Sequence, residues 1–328
     1  MDGPVDDVFI VPEAGHDSEP EVGEDALADV IEEMPDPIQP DGPSVLTFIN
    51  GMADLAAARV CFAPKTSGGF ALLSVAPLPD DSNGLPYAHA LSLQSLPGAI
   101  EVATTDVRPV VFGGKLSAIA GKTCADLSTV PDGVHWAALE VIPAGTLSHG
   151  RSVLMVAAGC VGGPDHVDSA QDIICGTGYS PAKPTARLFV ASMDRTFQSD
   201  RIGLQVFAAS LATPLSQVDH VASSPSFRTT LASSLAPGGI VPRPPNFDLS
   251  VVQLGSDPAS NDFELFDSGQ PSASASIPVG EALARGGLSF ADFVDGRTFT
   301  AVLIGPRAGL GTGAWWQGFT ITLVRNDP

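Results

Sequence analysis

The sequence predicts an all-β protein, two tandem antiparallel β-sandwich domains behind an acidic tail, and three observations carry that prediction. Beyond residue 44, short apolar runs alternate with Gly, Pro, Asn and Asp, and the 328 residues include 34 glycines and 29 prolines, a composition of many turns. Long amphipathic helices are absent from the pattern. A Gly-Arg-Ser/Thr turn followed by an almost wholly apolar strand occurs twice, as "HGRSVLMVAAG" at 149–159 and "DGRTFTAVLIG" at 295–305. A strand with no polar alternation must be buried on both faces.

The chain begins with a leader, 1–44, that holds fourteen acidic residues and no Lys or Arg, out of a formal net charge of -21. Rich in Pro, Glu and Asp and poor in aromatics, it has too little apolar surface to order itself and reads as a disordered spacer. Such a charge repels a phosphate backbone, so no nucleic-acid partner is expected.

In the first body segment the candidate strands are Val45 to Ile49, Ala57 to Phe62, Phe70 to Val75, Ala99 to Thr104, Val110 to Phe112, Trp136 to Ile142 and Ser152 to Ala158. Short strands at this spacing are those of an Ig-like sandwich. Further pieces suggest a duplication: "LTFINGMAD" at 46–54 beside "LFVASMDR" at 188–195, and "LSLQSLPG" at 91–98 beside "LASSLAPG" at 231–238. The domains are therefore drawn at 45–180 and 184–328, joined by the proline-bearing connector "GYSPAKPTA".

Four cysteines, Cys61, Cys124, Cys160 and Cys175, lie in the first domain and none is in a C-x-x-C spacing, which argues against zinc. Three pairings are open. The favoured one joins Cys61 to Cys124 and Cys160 to Cys175, worth about 4 and about 3 kcal/mol in the chain-entropy model. Disulfides place the protein outside the cytoplasm, extracellular or in the cell envelope. No run of 18 apolar residues encodes a membrane span, and no secretory signal follows Met1. Export then requires a signal region removed from the mature form, which is compatible with a lipid anchor there.

The stretch "CVGGPDHVDSAQDIIC" at 160–175 packs Asp165, His166, Asp168 and Asp172 between two cysteines. Calcium would want carboxylates at alternate positions, which this spacing does not provide, so a surface loop tied shut by a disulfide is expected and no metal is assigned. "GGKLSAIAGKT" at 113–123 misses the phosphate-loop spacing because position 116 is Leu116, and no cofactor is expected. Ser148 beside His149 is no dyad, and the histidines at 16, 89, 135, 149, 166 and 220 show no ligand spacing. Asp257, Asp262, Glu264 and Asp267 could supply an acid and a base only if the fold brought two of them together. In "AWWQGFTITLV", period two places Trp315, Phe319, Ile321 and Leu323 on one face and Trp316, Thr320 and Thr322 on the other. The second face is the candidate ligand surface. The competing reading packs Trp316 under the neighbouring "RAGLGTG" loop.

"GLPYAHALSLQSLPGAIEV" followed by "GTLSHGRSVLMVAAG" resembles the repeat domain of bacterial cell-surface proteins known as domain of unknown function 4397. The likeness rests on Leu85 to Tyr87, the Leu96 to Gly98 turn and Leu147 to Gly159. It implies an extracellular β-sandwich with a binding or structural role and no assigned catalytic residues. The expected function is thus non-enzymatic surface display or binding of a glycan or protein surface. The rival is a secreted hydrolase acting on polysaccharide or peptide, with carboxylates that converge only in the fold.

Overall fold

In the computed structural model the described residues are 42–328, apart from 94–103, 148–149, 197–198, 212–214, 224–225, 242–246, 250–256, 268–269 and 307–315. Most of the acidic leader and Trp315 therefore lie outside the described residues, as do most of the strand expected over Ala99 to Thr104 and the Leu96 to Gly98 turn.

The first half comprises β1 (Val45–Met52), β2 (Ala57–Thr66), β3 (Gly69–Phe70), β4 (Leu85–Pro86), β5 (Ala90–Leu93), β6 (Val107–Gly114), β7 (Val134–Ala138), β8 (Ser152–Gly159), the short helix α1 (Gln171–Ile174) and β9 (Arg187–Met193). The second half comprises β10 (Ile202–Ala208), β11 (Leu215–Ser223), β12 (Ser226–Leu235), β13 (Ile240–Val241), β14 (Phe247–Leu249), β15 (Asn261–Asp267), β16 (Ala275–Pro278), helix α2 (Val279–Arg285), β17 (Arg297–Ile304) and β18 (Thr320–Arg325). The fold is all-β, with strands as the main described structure.

The strands form four sheets, ordered β5-β1-β8-β9, β3-β2-β6-β7, β13-β10-β17-β18 and β12-β11-β15-β16. The two halves share one strand order. An edge strand runs antiparallel to β1 or β10, that strand runs parallel to β8 or β17, and β9 or β18 closes the sheet antiparallel. The sandwiches are accordingly not purely antiparallel. Each central pair is parallel, with Val45 to Met52 registered on Ser152 to Gly159 and Ile202 to Ala208 on Arg297 to Leu303.

This order corrects two sequence readings. The counterpart of β1 is β10, not 188–195, because both lead their half and pair with the apolar strand after a Gly-Arg-Ser/Thr turn. Residues 188–193 belong to β9, which hydrogen-bonds to β8 and finishes the first sheet. A division between 180 and 184 therefore cuts the first half before its last strand. Likewise Leu231 to Leu235 lies on β12, in the facing sheet, whereas Leu91 to Leu93 is on β5 beside β1. Short apolar fragments look alike wherever a strand needs them, so only the longer motif marked equivalent places.

Packing explains the wholly apolar strands. One face of the β1 sheet (Leu46, Phe48, Val153, Met155) meets Val60, Phe62 and Val111 of the β2 sheet. One face of the β10 sheet (Leu204, Val206, Phe299, Ala301) meets Val218, Phe263 and Leu265 of the β11 sheet. The remaining faces pack on each other: Ile49, Leu154, Val156 and Met193 join Phe207, Val302, Ile304 and Val324 in one buried cluster. The result is a four-layer stack in which β8 and β17 are covered on both sides, the usual setting of parallel pairs.

Close backbone approach is needed there. A Cβ on Gly51 would lie 2.7 Å from Ala157 O and 3.0 Å from Ile304 Cγ2. Polar groups also cross the seam and find partners: Tyr87 OH donates to Gly318 O (2.9 Å), Thr322 Oγ1 to Ala88 O, and Ser152 Oγ to Asn326 O. Burial raises the Tyr87 hydroxyl well above the ordinary tyrosine range, which keeps it a donor.

Candidate functional site

Cys61 is bonded to Cys124 and Cys160 to Cys175. The first bond fastens the segment carrying Leu116, Ile119 and Leu127 over Val110, Phe112 and Val134, on the outer face of the β2 sheet. The second closes the loop that leaves β8, and that loop gathers more chemistry than its own residues supply.

Asp54, just beyond β1, has a fully buried carboxylate. Its Oδ1 accepts the Val161 N–H at 3.0 Å, and its Oδ2 accepts the Gly162 N–H at 2.8 Å. His166 Nδ1 lies 2.9 Å from the same Oδ2 and must donate, because an ionised carboxylate only accepts. The Tyr179 hydroxyl donates to His166 O at 3.0 Å. Burial, then the Asp54 charge, raises that phenol above its ordinary range, so it remains protonated. Thr185 ties both cysteines, its N–H to Cys160 O (3.0 Å) and its hydroxyl to Cys175 O (2.6 Å).

Aromatic rings surround this knot. His135 on β7 stands with its ring 5.3 Å from that of His166, and burial first, then His166, lowers its pKa. The neutral form of His135 is favoured. Gly163 lets the rings approach, since a Cβ there would sit 2.9 Å from His135 Cε1.

Trp316 is 5% exposed, and packs with Ala53, Cys160, Ile174, Cys175 and Tyr179. Its ring lies edge-on to Tyr179 at 6.3 Å. Thr320 and Thr322 are buried too. The candidate surface of Trp316, Thr320 and Thr322 is therefore interior: the alternation holds along β18, but the face opposite Ile321 and Leu323 is covered by the first half. Threonine hydroxyls look solvent-facing in a sequence, yet a carbonyl on a neighbouring layer serves one equally well.

The carboxylate group in the second half is dispersed. Asp257 caps its own turn through the Ala259 N–H at 3.1 Å. Asp262 and Glu264 share the half-exposed face of β15, and Asp267 falls on the buried face. Glu264 and Asp219 both pair with Arg228, at 2.7 Å each, so their charges are engaged in a cross-strand ion triad. Among the described residues no group of three His, Cys, Asp or Glu side chains is placed to hold a metal ion. With two backbone donors and one imidazole on it, Asp54 serves as an anchor for the loop.

What the knot holds outward is apolar. Among the described residues five large hydrophobic side chains are exposed, and two of them, Val167 (62%) and Ile173 (51%), lie on this loop, whereas Trp136 (51%) is on the face of β7 that it shares with its cross-strand partner Phe112, opposite His135. Asp54 is the site residue missed in the sequence, because it lies more than a hundred positions from its partners.

No family model matches the chain and no curated protein matches it, so the resemblance to domain of unknown function 4397 rests on its turn motifs alone. Among solved structures, a protein of Bacteroides eggerthii DSM 20697, described as a candidate cell adhesion protein, aligns over 88% of this chain and 97% of its own at 11% identity. The TM-score is 0.18, too low to carry an argument.

Proposed function

We propose that this is a non-enzymatic protein of the extracellular space or cell envelope that binds a protein or glycan surface through the Cys160–Cys175 loop. The observation that carries the reading is the exposure of Val167 and Ile173 on one disulfide-closed, internally hydrogen-bonded loop. Exposed apolar side chains on a rigid support are the usual anchors of interfaces. Rigidity contributes because the loop need not be ordered on binding. The two disulfides support an oxidising location.

The test uses the full chain, labelled, on a glycan array and on bacterial and host cell surfaces. Val167→Ala together with Ile173→Ala should weaken the strongest interaction found by at least ~30-fold, an effect of about 2 kcal/mol, at unchanged melting temperature. Retained affinity in that variant would reject the surface.

A further inference from the structure

A cleft of about 540 Å³ opens at the edge of the seam, between β1 and β5 of the first half and β18 and the turn after α2 of the second. That volume is in the range of small-molecule sites, which favour such junctions between packed units. The turn keeps the cleft open. Gly286 lies so close to β18 that a Cβ would collide with Leu323 O, and Gly287, at φ +72°, has nothing within 4 Å of where its Cβ would stand. Because β1 and β8 run parallel, the cleft at the start of β1 and the Cys160–Cys175 loop beyond the end of β8 lie at opposite ends of the sheet. The cleft therefore stands apart from the surface proposed above.

Thr47 and Ser92 are cross-strand partners, and both line the cleft. Thr47 is 4% exposed. Among the described residues its hydroxyl has no hydrogen-bond partner, yet the oxygen is not closed to solvent, and the space it faces is the cleft. Ser92, on the edge strand, is exposed beside it. Opposed residues of an antiparallel pair stand about 5 Å apart at Cβ, so two hydroxyls, each donor and acceptor, are offered side by side.

The charges in the wall are engaged with one another. Asp327 Oδ2 is held by Arg297, and its Oδ1 lies 3.5 Å from Arg325 Nε. Arg325 donates in turn to Asp327 O at 3.1 Å and to Pro328 O. A charged ligand would give up its hydration to groups already paired, a cost that a neutral ligand avoids. Pro43, Leu93, Leu288 and Pro328 supply apolar wall suited to the C–H faces of a ring. We infer that this cleft binds a small neutral sugar, a mono- or disaccharide, whose ring hydroxyls meet Thr47 and Ser92.

The experiment is NMR titration of the labelled full chain with glucose, galactose, mannose, N-acetylglucosamine and cellobiose and, as a charged control, glucuronate. Saturable binding of at least one neutral sugar at one site per chain is expected. Thr47→Val, which removes the hydroxyl and keeps the shape, should raise its dissociation constant about fivefold. Ser92→Trp, which fills the cleft from its exposed rim, should abolish binding. Val167→Ala with Ile173→Ala should leave it unchanged, so that failure of the cleft and failure of the loop surface are told apart. No saturable binding by any neutral sugar, tighter binding of glucuronate than of glucose, or binding that survives Ser92→Trp overturns the site. The Ser92 variant decides the matter if Thr47→Val fails to fold.

Discussion

The two halves share a strand order but are closed by different means. In the first, Cys61–Cys124 pins the segment around Leu116 and Ile119 onto the outer sheet, and Cys160–Cys175 fixes the loop at the end of β8. In the second, which has no cysteine, helix α2 inserts Val279, Ala282 and Leu283 into the core, and Arg228 clips β12 to β11 and β15 through Asp219 and Glu264. What does not differ is the central layer pair, where every residue of β8 is buried and every residue of β17 beyond Arg297. The difference teaches that the periphery of this fold accepts covalent or non-covalent closure, whereas its middle depends on apolar contact between the halves.

The severest way to break that comparison is a charge in the shared layer. Ile304→Asp, opposite Gly51 of the first half, would bury an unpaired carboxylate whose cost exceeds a typical stability of about 5–15 kcal/mol. Loss of both halves together is expected, seen as the absence of any calorimetric transition. A surviving transition for either half alone would show that the halves fold independently.

Removing the covalent closures has the next largest effect. Replacing Cys61 and Cys124 by Ala should cost about 4 kcal/mol and replacing Cys160 and Cys175 about 3, in the order of their sequence separations of 63 and 15. Urea midpoints at fixed m-value check this, and equal losses would mean that native-state contacts dominate over loop entropy.

The smallest effect sharpens the account of the second half. His220 is wholly buried beside Phe263, and burial lowers its pKa to about 4, against about 6.5 when unfolded. The unfolded chain binds the extra proton between those values, so the stability tied to the neutral ring is complete above about pH 6.5 and drains away as pH falls towards 4. About 2–3 kcal/mol should be lost between pH 7 and pH 4.5, and His220→Phe should flatten the profile. Asp106, Asp126 and Asp292, each lowered chiefly by a backbone N–H, act in a separate window, at and below the ordinary carboxylate range.

The sequence by itself determined the all-β class, the apolar strands after Gly150 and Gly296, and the alternation along β18, because hydrophobic period and turn chemistry are local properties. It misjudged which polar face meets water, since Thr320 and Thr322 carry no mark of the layer that covers them. It placed the boundary between halves too early, because β9 joins its sheet through β8 and not through any feature of residues 187–193. Only the tertiary structure brought Asp54 to the Val161 and Gly162 amides and His135 to His166. Such meetings are long-range contacts, and a chain can specify them only through the summed packing of its layers.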